Sequence, residues 1–202
     1  ALERYDAARM PELMDEHVRR VLTRSAPDLG PSTFTASDAN GTPVPQQHWD
    51  KASSLSVAYE SPGHAWSVSI SHARGEAEGD ADRSCREGLE DGTFLDCTVE
   101  RTDDGAQVVS SLWALRPYLD THTVVNADRL DTTDVDRLSF QRRVKVIKSE
   151  TLITYVSETV PATDRDPASA AFATSYADLV EIGTDPELVM PVPPPGENGC
   201  PA

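Results

Sequence analysis

Between Ala65 and Ala73 the chain reads AWSVSISHA: Trp66, Val68, Ile70 and His72 fall on one side, Ser67, Ser69 and Ser71 on the other. Successive side chains of a strand point to opposite faces, so a period of two demands a sheet with one buried face and one wet face. That combination belongs to antiparallel sheets. The pattern recurs along the chain. SLSVAY (Ser54–Tyr59) alternates in the same way and is separated from this stretch by a Pro62-Gly63 turn. FLDCTVERT and AQVVSSLWALR flank Asp103-Asp104-Gly105, and an Asp-Gly pair between alternating segments marks a hairpin whose turn needs positive φ. FQRRVKVIK (Phe140–Lys148) and TLITYVSETV (Thr151–Val160) make a last pair, joined tightly through Ser149-Glu150.

Helical spacing brackets these strands. Over Leu2–Thr23, Leu13, Met14, His17, Val18, Val21 and Leu22 recur three and four residues apart, with a restart expected near Pro11 because proline suits a first helical turn. Near the other end, Ser175 followed by Asp178 is an N-cap signal for a short helix ending about Gly183. Residues 25–50 carry many prolines and glycines and read as loop. Arg74–Arg83 reads as a polar acidic loop, and Asp120–Arg137 shows no periodicity. The expectation is an α+β fold: an antiparallel sheet of five to six strands with an N-terminal helix and a short C-terminal helix, the helices covering one face. Residues 1–190 would form this single domain, and the proline-rich 191–202 a flexible tail.

The charge excludes several functions. Thirty-four acidic residues against 18 basic ones give a net charge of −16 over 202 residues. Binding nucleic acid requires Lys and Arg to displace counterions from phosphates, and adsorption to anionic lipid requires the same sign, so neither is expected of this domain. No apolar run approaches the roughly 20 residues of a membrane-spanning helix. The chain begins Ala1-Leu2, which reads as a mature or trimmed form whose export signal or membrane tether would lie upstream.

Of three cysteines, Cys85 and Cys97 enclose 11 residues that include Gly88, Asp91 and Gly92. A disulfide closing such a loop contributes roughly 3 kcal/mol in the chain-entropy account. Buried free thiols and redox or metal chemistry are the alternatives. Zinc needs four ligands and there is no Cys-x-x-Cys pair, while Glu87, Glu90, Asp91 and Asp96 supply the wrong sign for an activated thiolate. Cys200, in the tail, would pair with a cysteine outside this sequence, with another chain, or with nothing.

Three stretches together suggest a kinship: the helix ARMPELMDEHVRRVL, the Cys-loop-Cys ahead of the Asp-Asp-Gly hairpin, and RRVKVIKSETLITYV before DLVEIGTDPEL. They resemble the extracytoplasmic domains of membrane-anchored or lipoprotein-type proteins of actinobacteria. The likeness covers most of the chain but departs at the last hairpin, where Ser149-Glu150 stands for an expected Asp-Gly. It implies the compartment and the fold, and no catalytic residue.

Four groups of residues are candidates for chemistry. Arg143 and Lys145 alternate onto one face of their strand, away from Val144 and Val146. They would either pair across strands with acids such as Glu100 or Glu158, or hold a small anionic ligand or acidic partner. Glu76, Glu78, Asp80 and Asp82 could give calcium several oxygens, as could Asp131, Asp134 and Asp136. Neither set matches an EF-hand loop, and solvated acidic loops are the plainer reading. The five histidines, His17, His48, His64, His72 and His122, show no helical metal spacing, and the β-strand serines sit in no nucleophile elbow. No motif asks for a cofactor. The expected role is therefore non-enzymatic: sensing or protein interaction at the cell envelope. An envelope hydrolase or a binder of small ligands or wall material is the alternative, and the hydrolase would need at least two of His64, His72, Asp80 and Asp82 in one pocket.

Overall fold

The computed structural model describes residues 9–72, 80–118, 121–149 and 151–190. It is α+β, with eight strands in one antiparallel sheet: β1 (Thr33–Ser37), β2 (Ser54–Ser61), β3 (His64–His72), β4 (Asp96–Arg101), β5 (Gln107–Tyr118), β6 (Thr121–Val124), β7 (Ser139–Ser149) and β8 (Leu152–Pro161). Their order is β1-β2-β3-β8-β7-β5-β4, with β6 also paired to β5. Three α-helices accompany them: α1 (Met10–Leu22), α2 (Ala81–Glu90) and α3 (Tyr176–Thr184).

The register explains the two faces. Val68 lies opposite Val57 and Val156, and Val156 opposite Val144. This row, with Leu55, Ile70 and Val146, is fully buried under α1 and α3. The apolar stripe of α1, Met10, Met14, Val18, Val21 and Leu22, repeats at three- and four-residue spacing and is entirely buried. Pro11 stands in its first turn, as the restart reading expects. Leu179 and Ile182 bring α3 onto β7 and β8, where a Cβ on Gly183 would sit 2.6 Å from Val146 Cγ2. Only a glycine permits that approach. A full capping box starts α3: Asp178 N–H donates to Ser175 Oγ (3.1 Å) and Ser175 N–H to Asp178 Oδ2 (2.9 Å). The Asp103-Asp104-Gly105 hairpin is present, with Gly105 at φ +89°.

Three expectations are corrected. The sheet has eight strands rather than five to six, because β1 and β6 were not foreseen. β1 lies inside the proline-rich stretch read as loop, and a 3-10 helix, Gln46–Lys51, follows it. β6 is four residues of the stretch without periodicity. Both are short strands on the sheet's margin, held by ladder bonds to β2 and β5 rather than by a patterned face of their own. Thirdly, the acidic loop and the Cys85–Cys97 loop contain α2. Asp80 caps it by accepting from Arg83 N–H at 2.8 Å, and the Ala81, Cys85, Gly88 side is buried. The two expected helices, α1 and α3, do cover one face. The unforeseen α2 lies on the other, where Ala81 and Cys85 pack with Cys97, Val109, Ile147 and Ile153.

Cys85 and Cys97 are joined in a disulfide, their Cα atoms 5.7 Å apart, and this ties α2 to β4. Among the described residues no helix is long and apolar enough to cross a membrane. Residues 191–202, including Cys200, lie outside the described residues, as do Glu76 and Glu78.

Candidate functional site

Helix α2 covers the β4–β5 end of its face, and among the described residues nothing covers the same face over β2, β3 and β8. The sequence places small hydroxyl side chains there. Ser67 on β3 lies opposite Ser157 on β8, Ser71 opposite Ser54 on β2, and Ser69 opposite Ser56 and Tyr155. On β7 the same face continues with Gln141, Arg143 and Lys145, opposite Thr159, Ser157 and Tyr155. The result is a cavity of about 560 Å³ lined by Ser54, Ser67, Ser69, Ser71, Ser157, Gln141, Tyr155 and Arg143, with Ser53 and His72 at its edge. A second cavity, of about 190 Å³, runs under α2 and is lined by Phe94, Ser111, Trp113, Lys145, and again Arg143 and Tyr155. Arg143 and Tyr155 thus stand where the two spaces meet.

Arg143 is held by aromatic rings. Its guanidinium carbon lies 4.5 Å from the centroid of Tyr155, reached from β8, and 5.6 Å from that of Trp113, reached from β5. Trp113 is itself fixed: its Nε1–H donates to Ser111 Oγ at 2.8 Å, and Phe94 meets its ring edge-on at 4.7 Å. Such cation–π contacts stabilise a partly desolvated guanidinium but do not neutralise it. Among the described residues no carboxylate pairs with Arg143. Burial pulls its pKa below the usual guanidinium value, with only the Tyr155 phenol opposing that shift. An arginine remains protonated under such a shift, so the site keeps its positive charge.

The acids proposed for pairing lie elsewhere. Glu158 is on the other face, opposite Arg142 in the β7–β8 register, and Glu100 is exposed, opposite Val108. One residue of register separates the two faces, which is why Arg142 and Arg143 have different surroundings. Arg142 donates to Thr174 O at 2.8 Å and lies over Phe172 and Tyr176.

Glu158 is fully buried and entirely satisfied. Its Oε1 accepts from His64 Nδ1 (2.8 Å) and Ala173 N–H (2.7 Å), and its Oε2 from Thr174 N–H (2.9 Å) and the Thr174 hydroxyl. The carboxylate fastens the chain entering α3 to the sheet. A second clamp joins α1 to the end of α3: Asp185 Oδ2 accepts from His17 Nδ1 (2.8 Å) and Arg20 (3.0 Å). Burial works against the Asp185 carboxylate, but His17, the Glu187 N–H and Arg20 together hold its pKa below the usual range. Beside it Lys148 Nζ donates to the carbonyls of Asp185 and Leu188, and burial brings this amine down to about 8.

The hydrolase constellation is not assembled. His64 and His72 sit at opposite ends of β3, roughly 26 Å apart at strand rise. Asp80 caps α2, and Asp82 is exposed in its first turn. Of the candidate calcium ligands, Glu76 and Glu78 lie outside the described residues; Asp80, Asp82, Asp131, Asp134 and Asp136 lie within them, and Asp134 caps a 3-10 turn by accepting from Asp136 N–H. Among the described residues no three His, Cys, Asp or Glu side chains are grouped to hold a metal ion.

Of the groove residues, the alternation in sequence had singled out Arg143, Lys145 and the serines of β3. It missed Trp113, Gln141, Tyr155 and Ser157, although each falls on the face of Arg143 once hairpin register is known. No protein-family model, curated protein or solved structure matches the chain. The chemistry of the groove must therefore speak for itself.

Proposed function

We propose that this is a non-catalytic binding domain that holds a small anionic ligand in the serine-lined groove, with Arg143 as the anion-binding residue. The observation that carries the reading is the guanidinium itself: half-buried, flanked by Trp113 and Tyr155, and facing two cavities without a carboxylate among the described residues. A desolvated cation is costly unless an anion joins it, and an anion arriving from solution would supply that partner. The groove volume of about 560 Å³ falls within the range of small-molecule sites. The Cys85–Cys97 disulfide supports a place outside the cytoplasm, where such bonds persist. There the domain would act as a ligand-responsive sensor or scaffold for protein partners at the cell envelope.

The test is isothermal titration of the protein with acetate, inorganic phosphate and citrate, repeated on Arg143→Met. Binding that falls at least tenfold in the variant, with an unchanged thermal midpoint, supports the reading. No heat from any of the three anions at millimolar concentration, or equal binding by the variant, refutes it.

A further inference from the structure

The wall of the groove is unlike what a bare inorganic anion needs. A bare anion uses donors alone, whereas most of this surface is hydroxyl, which accepts as well as donates. Among the described residues the side chains of Ser54, Ser67, Ser71 and Ser157 make no hydrogen bond to protein, while Ser56 Oγ donates to Ser69 Oγ at 2.9 Å. Each free hydroxyl offers one donor and two acceptor sites. β-Strand geometry sets them on a lattice with roughly 4.8 Å between strands and roughly 6.7 Å along each strand. The Gln141 amide adds another donor and acceptor at the Arg143 end, although one of its N–H groups is engaged by Thr159 Oγ1 at 2.9 Å.

A neutral array of groups that both give and accept, with one cation at its end, matches a ligand that is itself mostly hydroxyl and carries one acid. We propose that the groove takes an acidic monosaccharide, or the acidic residue of a longer saccharide. Its carboxylate would meet Arg143 and its ring hydroxyls the nearest serines, Ser157 of β8 and Ser67 of β3, while a longer saccharide would extend over the remaining serines of β3 and β2. This rests on the anion-binding reading of Arg143. The planar guanidinium, with aromatic rings near it, keeps in-plane N–H donors for a carboxylate, the two-pronged geometry that arginine provides and lysine does not. A polyphosphorylated ligand fits less well, since among the described residues the other cation on this face of β7 is Lys145, and it lines the smaller cavity under α2 rather than the groove.

The experiment titrates the full chain with D-glucuronate, D-glucose and acetate, for the native protein, Ser67→Ala/Ser157→Ala and Arg143→Met. Two or three ring hydroxyl contacts should make glucuronate bind roughly tenfold or more tighter than acetate. The double serine variant should lose most of that advantage while its acetate affinity stays the same. Arg143→Met should lose both ligands. Equal affinity for acetate and glucuronate, or no effect of the serine variant, overturns the saccharide inference and leaves the anion reading standing. Glucose binding as tightly as glucuronate, with Arg143→Met unaffected, overturns both, as does the absence of binding by either acid.

Discussion

Replacing Glu158 by glutamine tests the argument that this buried carboxylate, rather than apolar packing alone, holds the chain entering α3 against the sheet. The substitution keeps shape and volume and changes one oxygen into an amide NH₂. Each carboxylate oxygen accepts one backbone N–H, Oε1 from Ala173 and Oε2 from Thr174. The Thr174 hydroxyl can rotate and His64 can change tautomer, but a backbone N–H can only donate. Whichever way the amide turns, one backbone donor therefore faces another donor at a site with no exposure to solvent. Leaving a buried donor unsatisfied costs about 1–3 kcal/mol, and losing the charge on the remaining bonds adds about 1 kcal/mol, so Glu158→Gln should destabilise by about 3 kcal/mol. With a urea m-value of about 2–3 kcal/mol/M, the unfolding midpoint should fall by about 1–1.5 M with m unchanged. Hydrogen exchange should accelerate first at Ala173 and Thr174. A midpoint shift below about 0.3 M, or exchange at those amides no faster than in the native protein, would refute the reasoning.

Two further consequences concern the same core. Thr154 is fully buried between Ile70 and Val146, and its hydroxyl has no partner among the described residues. Thr154→Val keeps the shape and removes the unsatisfied group, so it should stabilise by about 1 kcal/mol and raise the melting temperature by about 2–4 °C; a fall would show that the hydroxyl is satisfied. Burial lowers Lys148 from 10.5 to about 8, so between these values the unfolded chain binds the proton and the folded chain largely does not. Stability from this group therefore rises as pH climbs from about 8 toward 10.5, and the burden of burying its charge is fully present below about 8. Lys148→Met should remove that rise, which urea midpoints of the two proteins at pH 7, 8.5 and 10 would reveal; parallel pH profiles would contradict it.

The long strands were readable one by one. Period-two alternation over β2, β3 and β8 is a local consequence of burying one sheet face, and the capping box of α3 and the positive φ at Gly105 are equally local. The edge strands β1 and β6 were not readable, because their order comes from a neighbour's ladder bonds rather than from their own pattern. Helix α2 was hidden for a related reason. Half of its ten residues are charged, and only Ala81, Cys85 and Gly88 are buried. The candidate site divides along the same line. Alternation alone assigns Arg143 and Lys145 to the face away from Val144 and Val146. Whether Glu158 would meet Arg143 or Arg142 depends on the β7–β8 register, and a shift of one residue would reverse the answer.

What residue order alone decides in this protein is which positions alternate, where turns can form and which half of each strand seeks the core, since those follow from interactions a few residues long. The packing of strands from distant parts of the chain decides the rest. It sets Trp113 and Tyr155 against one guanidinium, keeps every acid among the described residues off it, and lays beside it a floor of serines that no described residue covers. Those contacts join β5, β7, β8 and β3, and the order in which such strands lie side by side is a property of the whole sheet.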